Sequence, residues 1–229
     1  MPRPVVVLDN PRNEENVGAV LRLAANFAIA PADVRLVDPC PLGGRARAAA
    51  CHAEPYLDGA PRYGTLPEAL ADCAWAVAFT AAARDFPTER KVALQDLPSR
   101  LGALALPPDA PTALVFGTER VGLPHDAADL CPWVATIPLP GYPVLNLSHA
   151  VALALCALTP GAVAGTDTGE AERIPLATRG EVERMYARLG EVLATVGFAN
   201  PGNGLVPVDL FRRLHARNPL TRADVGTWM

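Results

Sequence analysis

The sequence predicts an α/β fold, helices over a mostly parallel sheet, with a smaller all-helical portion behind it. Three features lead there. Strand-like and helix-like segments alternate over the first 158 of 229 residues. Residues 159–175 then turn to Gly, Thr, Pro and Glu, a linker composition, and beyond them only helical periodicity recurs. Half of the residues are apolar and 19% are charged, which suits a globular chain and excludes a disordered one.

The elements follow in order. Residues 5–8 are a β-branched run and form the first strand. Residues 16–27 set Val17, Val20, Leu21, Leu23 and Ala24 near one side at helical spacing. A strand covers 34–37, and the Pro- and Gly-rich stretch 39–61 holds a short helix around 46–53. A helix over 66–73 leads into a strand at 75–79, while residues 80–100 show no clear period. The apolar strand 112–116 stops at Gly117. A helix at 126–130, a strand at 134–137 and a helix at 146–158 complete this part. Past the linker, Val182, Met185, Tyr186, Leu189, Val192 and Leu193 mark an amphipathic helix over 179–196. Two shorter helices follow at 207–215 and 221–228, with Thr221 as candidate N-cap of the second.

Several function classes drop out. The longest apolar stretch, 150–158, falls well short of the roughly 20 residues that span a bilayer, and the N-terminus lacks a signal-peptide layout. A soluble, cytoplasmic protein is expected. Cys40, Cys51, Cys73, Cys131 and Cys156 form no C-x-x-C pair and suit reduced thiols. His52, His125, His149 and His215 each stand without a second ligand at metal spacing, so no metal is expected. Neither a dinucleotide fingerprint nor a phosphate-binding G-K-[ST] loop occurs. The net charge of -4 gives no global attraction to nucleic acid.

Three loops that follow strands remain, where ligands of open α/β sheets sit. In "NPRNEENVGAVLR" (10–22), Asn13, Asn16 and Arg22 punctuate a loop that becomes a helix, with Asn16 as its simplest N-cap and Arg22 as a solvated surface residue. In "LVFGTERVGLP" (114–124), the strand end at Gly117 exposes backbone amides beside Glu119 and Arg120. In "IPLPGYPVLNLSHAVALAL" (137–155), Pro138, Pro140 and Pro143 stiffen a loop hinged at Gly141. Asn146 there either caps the next helix or offers its amide to a ligand; periodicity does not separate the two.

Taken together and in this order, the three segments resemble the motifs of the SPOUT class of RNA methyltransferases, within it the ribose 2′-O-methyltransferases of the TrmH/TrmJ type. The resemblance covers roughly the first two thirds of the chain. "YARLGEVLATVGF" (186–198) and "LFRRLHARNPLTRADV" (210–225) are similar to the helical extension of TrmJ-type enzymes, which methylate tRNA at nucleotide 32 of the anticodon loop.

What the resemblance implies is specific. The fold would be a SPOUT-type parallel sheet with a deep C-terminal trefoil knot, over residues 1–160, with a linker at 161–176 and a helical RNA-binding extension at 177–229. S-adenosylmethionine would bind against Thr80, Ala81, Ala82, Ala83, Gly117, Ile137, Val144, Leu145 and Asn146, with no metal. Arg22 would act at the target ribose, Asn13 and Asn16 would hold the ribose-phosphate, and Glu119 would position Arg22 or the substrate. Arg212, Arg213 and Arg217, in a tail where arginines outnumber acids, would contact RNA. Val144 stands where the family often has serine. A homodimer is implied, with Arg22 near the partner's pocket. Ribosomal RNA is the alternative substrate, and a catalytically weakened RNA-binding module the alternative function.

Overall fold

The computed structural model describes residues 2–81, 86–141, 144–159, 175–198, 207–216 and 218–228. Its strands are β1 (Arg3–Asp9), β2 (Val34–Val37), β3 (Arg62–Tyr63), β4 (Trp75–Phe79), β5 (Lys91–Ala93), β6 (Pro111–Phe116) and β7 (Trp133–Thr136). They form one sheet in the order β3-β2-β1-β6-β4-β7-β5, and every neighbouring pair is parallel. Parallel pairing demands crossovers, and these carry helices to both faces. The helices are α1 (Glu14–Asn26), α2 (Gly44–Ala50), α3 (Glu54–Gly59), α4 (Leu66–Leu70), α5 (Leu97–Ala103), α6 (His125–Asp129) and α7 (Leu147–Leu158), then α8 (Arg179–Thr195), α9 (Pro207–His215) and α10 (Arg222–Trp228).

The two-residue period of the strands divides the core. Val6 and Leu8 pack with Val17 and Leu21 of α1 and Val151 of α7. Val5 and Val7 face the other way, toward Leu66 and Leu70 of α4 and Ala128 of α6. Each such fully buried aliphatic side chain stabilises the fold by roughly 1.5–3 kcal/mol. On the first face α1 and α2 nearly touch: a Cβ at Gly18 would lie 2.2 Å from the carbonyl oxygen of Ala46, so only glycine allows this approach.

Several sequence expectations change. The helix expected around 46–53 ends at Ala50, because Cys51 takes a left-handed φ of 55°; a 3-10 turn and α3 follow. The helix expected over 66–73 stops at Leu70, and the carbonyls of Ala71 and Cys73 accept hydrogen bonds from the amides of Gly180 and Arg179, both at 2.7 Å. Within 80–100 the chain forms the short edge strand β5 and begins α5. The first helix starts at Glu14 with Asn13 as its cap, so Asn16 is not the N-cap.

The extension has its own small core of Ala177, Val182, Met185, Tyr186 and Val225. It docks at the end of the sheet where β4 and β7 begin. Thr178 and Glu181 form a capping box on α8, and Trp133 Nε1 donates to the carbonyl of Ala216 at 2.9 Å. Thr221 caps α10 as expected, accepting from the Asp224 amide at 3.0 Å. Of the expected linker, Leu176 pairs with Thr221, and residues 160–174 lie outside the described residues. Among the described residues, no helix is long and apolar enough to cross a membrane.

Candidate active site

A cavity of about 320 Å³ opens at the carboxyl ends of the adjacent strands β6, β4 and β7. Phe79 and Phe116, the last residues of β4 and β6, stack with ring centroids 4.6 Å apart and line it. Neighbouring parallel strands in register bring these two rings together. Thr80, Ala81, Gly117, Glu119, Ile137, Val144 and Leu145, all expected at a cofactor or catalytic site, line the same cavity. Ala82 and Ala83 lie outside the described residues.

Gly117 is required by the turn that follows it. The amide of Thr118 donates to the Gly122 carbonyl and that of Gly122 to the Thr118 carbonyl, both at 3.0 Å, folding residues 118–122 back over the strand end. A Cβ at Gly117 would lie 2.3 Å from the Gly122 backbone. Gly122 itself has φ +72°, which L side chains rarely adopt.

That loop presents Glu119. Its two carboxylate oxygens accept the backbone amides of Arg12 and Asn13, each at 3.1 Å. Asn10 makes this possible by leaving β1 with φ 55°, a conformation asparagine tolerates. Glu119 therefore anchors the entrance to α1. Among the described residues no hydrogen bond or ion pair joins it to Arg22. Asn13 then caps α1 by accepting the Glu15 amide at 2.9 Å, leaving its Nδ2 to donate.

Of the two roles that the sequence left open for Asn146, the structure shows the cap, and it gives the amide nitrogen a partner within the chain. Its Oδ1 caps α7, accepting the Ser148 amide at 2.8 Å and hydroxyl at 2.7 Å. Its Nδ2 donates at 2.8 Å to Oδ1 of Asn16, which is 8% exposed. The first and last helices of the α/β body are thus tied at the site. Nearby, burial raises the Asp9 carboxyl above its usual range, with Asp126 and Asp38 adding to the effect.

Arg22 stands apart. It lies eight residues after the start of α1, about 12 Å along the axis at the usual rise, is exposed, and does not line the cavity. Arg212, expected to contact RNA, is engaged within the extension. It makes a bidentate pair with Glu183 at 2.8 and 2.5 Å and lies over the Tyr186 ring, so its guanidinium is committed to holding α9 on α8. Arg179, Arg188 and Arg222 also pair with glutamates of the extension, so four of its six described arginines are engaged internally. Arg213 is partly exposed, and Arg217 lies outside the described residues. Sequence reasoning missed Phe79, Phe116, Thr136, Leu147 and Ala150 as cavity residues; their place at strand ends and in the first turn of α7 was the available signal.

Comparison with known proteins agrees with this geometry. The model of the SpoU rRNA Methylase family matches residues 3–156. The tRNA (cytidine/uridine-2'-O-)-methyltransferase TrmJ of Cronobacter sakazakii is 31% identical over 219 residues, covering 93% of this chain and 87% of the relative. The tRNA (cytidine-2'-O-)-methyltransferase TrmJ of Methanocaldococcus jannaschii is 34% identical over 152 residues, 66% of this chain and 64% of that one. Among solved structures, TrmJ from Z. mobilis ZM4 superposes with a TM-score of 0.79 at 27% identity, covering 98% of this chain and 95% of the other. A family match over most of the α/β body, together with relatives at this identity over nearly the whole length, establishes that the chain belongs to the SpoU rRNA methylase family.

Proposed function

We propose that this chain is an S-adenosylmethionine-dependent ribose 2′-O-methyltransferase acting on tRNA, at cytidine or uridine 32 of the anticodon loop. The observation that carries this is that the second and third motifs line one cavity and the first is fastened to both: Glu119 joins the second to the first, and the Asn146–Asn16 hydrogen bond joins the third to the first. Similarity to relatives named as tRNA methyltransferases extends through the C-terminal helices, which favours tRNA over ribosomal RNA.

The cavity suits the cofactor. Phe79, Phe116, Ala135 and Leu147 supply apolar surface for a nucleobase, and the rim at Gly117, Ile137, Val144 and Leu145 brings backbone groups alongside, with Asn146 next to it in the chain. Ala82 and Ala83 belong to this pocket in the proposal. When bound, S-adenosylmethionine supplies a methyl group activated by its positively charged sulfur. The chain's own residues contribute alignment. A guanidinium stays protonated at any working pH, so Arg22 donates to ribose or phosphate oxygens and orients the 2′-hydroxyl rather than removing its proton. Asn13 and Asn16 steady the ribose-phosphate. Holding the attacking oxygen in line can contribute up to about 7–11 kcal/mol.

Because Arg22 sits well away from its own cavity, the proposal requires a homodimer in which Arg22 serves the partner's site. It includes a trefoil knot formed by threading α7 through the loop that precedes it, residues 1–160 as the catalytic unit, 161–176 as linker, and 177–229 as an RNA-binding extension using Arg212, Arg213 and Arg217. A binding-only module is the second reading, favoured by Val144, half-exposed at the cavity mouth where the family often has serine.

Incubation with labelled S-adenosylmethionine and separate tRNA and ribosomal RNA pools, followed by mass spectrometry, tests the proposal. A 2′-O-methyl group at nucleotide 32 is expected. Transfer only to ribosomal RNA would reassign the substrate. Cofactor binding by calorimetry without transfer to either pool would leave the binding module.

A further inference from the structure

We propose that α2 forms a cationic rail beside the site, on which Arg45 and Arg47 hold two RNA phosphates flanking the target nucleotide. This rests on the functional reading above and names how its substrate is gripped.

The placement of α2 comes from the cavity itself. Glu119 lines the cavity and accepts the Asn13 amide. The next residue, Glu14, turns its carboxylate to the start of α2, accepting the Gly43 amide at 2.7 Å and the Ala46 amide at 3.3 Å. The first turn of α2 is therefore fastened to the cavity rim through three consecutive links. Close packing fixes its rotation: Ala46 meets Gly18 of α1, and Ala46 and Ala50 are buried. Arg45 and Arg47 flank Ala46 in sequence, so they emerge on either side of the buried stripe, and both are exposed.

Charge accounting over residues 14–50 singles these residues out. Glu14 is used on the α2 amides, Asp33 pairs with Arg3, Asp38 with Arg12, and Arg35 with Asp72. Arg22, Arg45 and Arg47 remain without a carboxylate partner among the described residues, against Glu15. A chain of net charge -4 thus gathers free guanidinium groups on two packed helices, whose first turns are linked to the cavity rim through Glu119 and Glu14. In the extension Arg179, Arg188, Arg212 and Arg222 are already paired, which leaves Arg184 and Arg213 among its described arginines. Phosphate is the ligand that unpaired, exposed guanidinium groups beside an RNA-modifying site would take.

The test measures affinity of the full-length protein for tRNA across a salt series, for wild type, Arg45→Ala/Arg47→Ala and Arg62→Ala. Arg62 is an exposed arginine on the edge strand β3 and controls for loss of charge alone. Each phosphate contact contributes about 0.7–0.9 to the slope of log affinity against log salt. The double variant is expected to be shallower by about 1.4 to 1.8 and to raise the KM for tRNA, with Arg62→Ala matching wild type. Unchanged slope and KM in the double variant would overturn the rail, as would an equal drop per residue in Arg62→Ala. Calorimetry with S-adenosylmethionine on the same samples checks the fold. A wild type that binds no RNA would instead overturn the functional reading itself.

Discussion

Asn146 and Arg22 mark the extremes of what a single side chain does here. Asn146 divides its amide: the oxygen caps α7 and the nitrogen donates to Asn16. Replacing it removes a helix cap, worth about 1 kcal/mol, together with the tie between motifs. Arg22 makes no hydrogen bond or ion pair among the described residues, so its removal should cost little stability. Arg22→Ala is expected to lower kcat by roughly 100-fold or more, as misaligned reactants do, with cofactor affinity by calorimetry unchanged. Arg22→Lys should recover little, because an ammonium lacks the planar fork that grips ribose and phosphate oxygens. Persistent transfer in Arg22→Ala would remove this residue from the mechanism.

At the level of elements, the turn after β6 shapes the cavity, and its tolerance is narrow. Gly117→Ala would place a methyl group 2.3 Å from the Gly122 backbone. The turn must then open, at a cost of roughly 3 kcal/mol as in other overpacked sites. Glu119 would be withdrawn from α1 with it. A lower midpoint in chemical denaturation and lost cofactor binding are the expected results; a variant with wild-type affinity would show that the turn is not part of the pocket. The central strands and the long helices were legible in the sequence because burial on both faces writes an unbroken apolar run, as in 75–79, and burial of one stripe writes a helical period, as in 179–195. The elements β3, β5 and α3 were not, since two or three edge residues, or a six-residue helix among small side chains, leave no period to detect. The motif loops were legible as a set: the second and third contribute to one cavity, and the first is tied to them by hydrogen bonds. What they bind internally was hidden: nothing in the spacing says that Glu119 takes the amides of Arg12 and Asn13, or that Arg212 is consumed by Glu183. Such pairings depend on residues distant in sequence.

Across the whole molecule, cavity and extension occupy opposite ends of the sheet: Phe79 and Phe116 at the carboxyl ends of their strands, and Trp133 at the start of β7. A substrate touching both must run the depth of the sheet or reach across a second copy. Trp133→Phe would leave the Ala216 carbonyl without its indole donor, a loss of about 1–3 kcal/mol for a buried group. Faster proteolysis within α9 and α10 is expected, with the α/β body protected; an unchanged cleavage pattern would show that this contact does not hold the extension. The hydrogen bond between Asn16 and Asn146 spans 130 positions of sequence. During synthesis, the helix bearing Asn16 leaves the ribosome long before its partner has been translated. A nascent or prematurely terminated chain that ends before residue 146 therefore cannot assemble the site, which couples competence to handle RNA with translation through the helix that Asn146 caps.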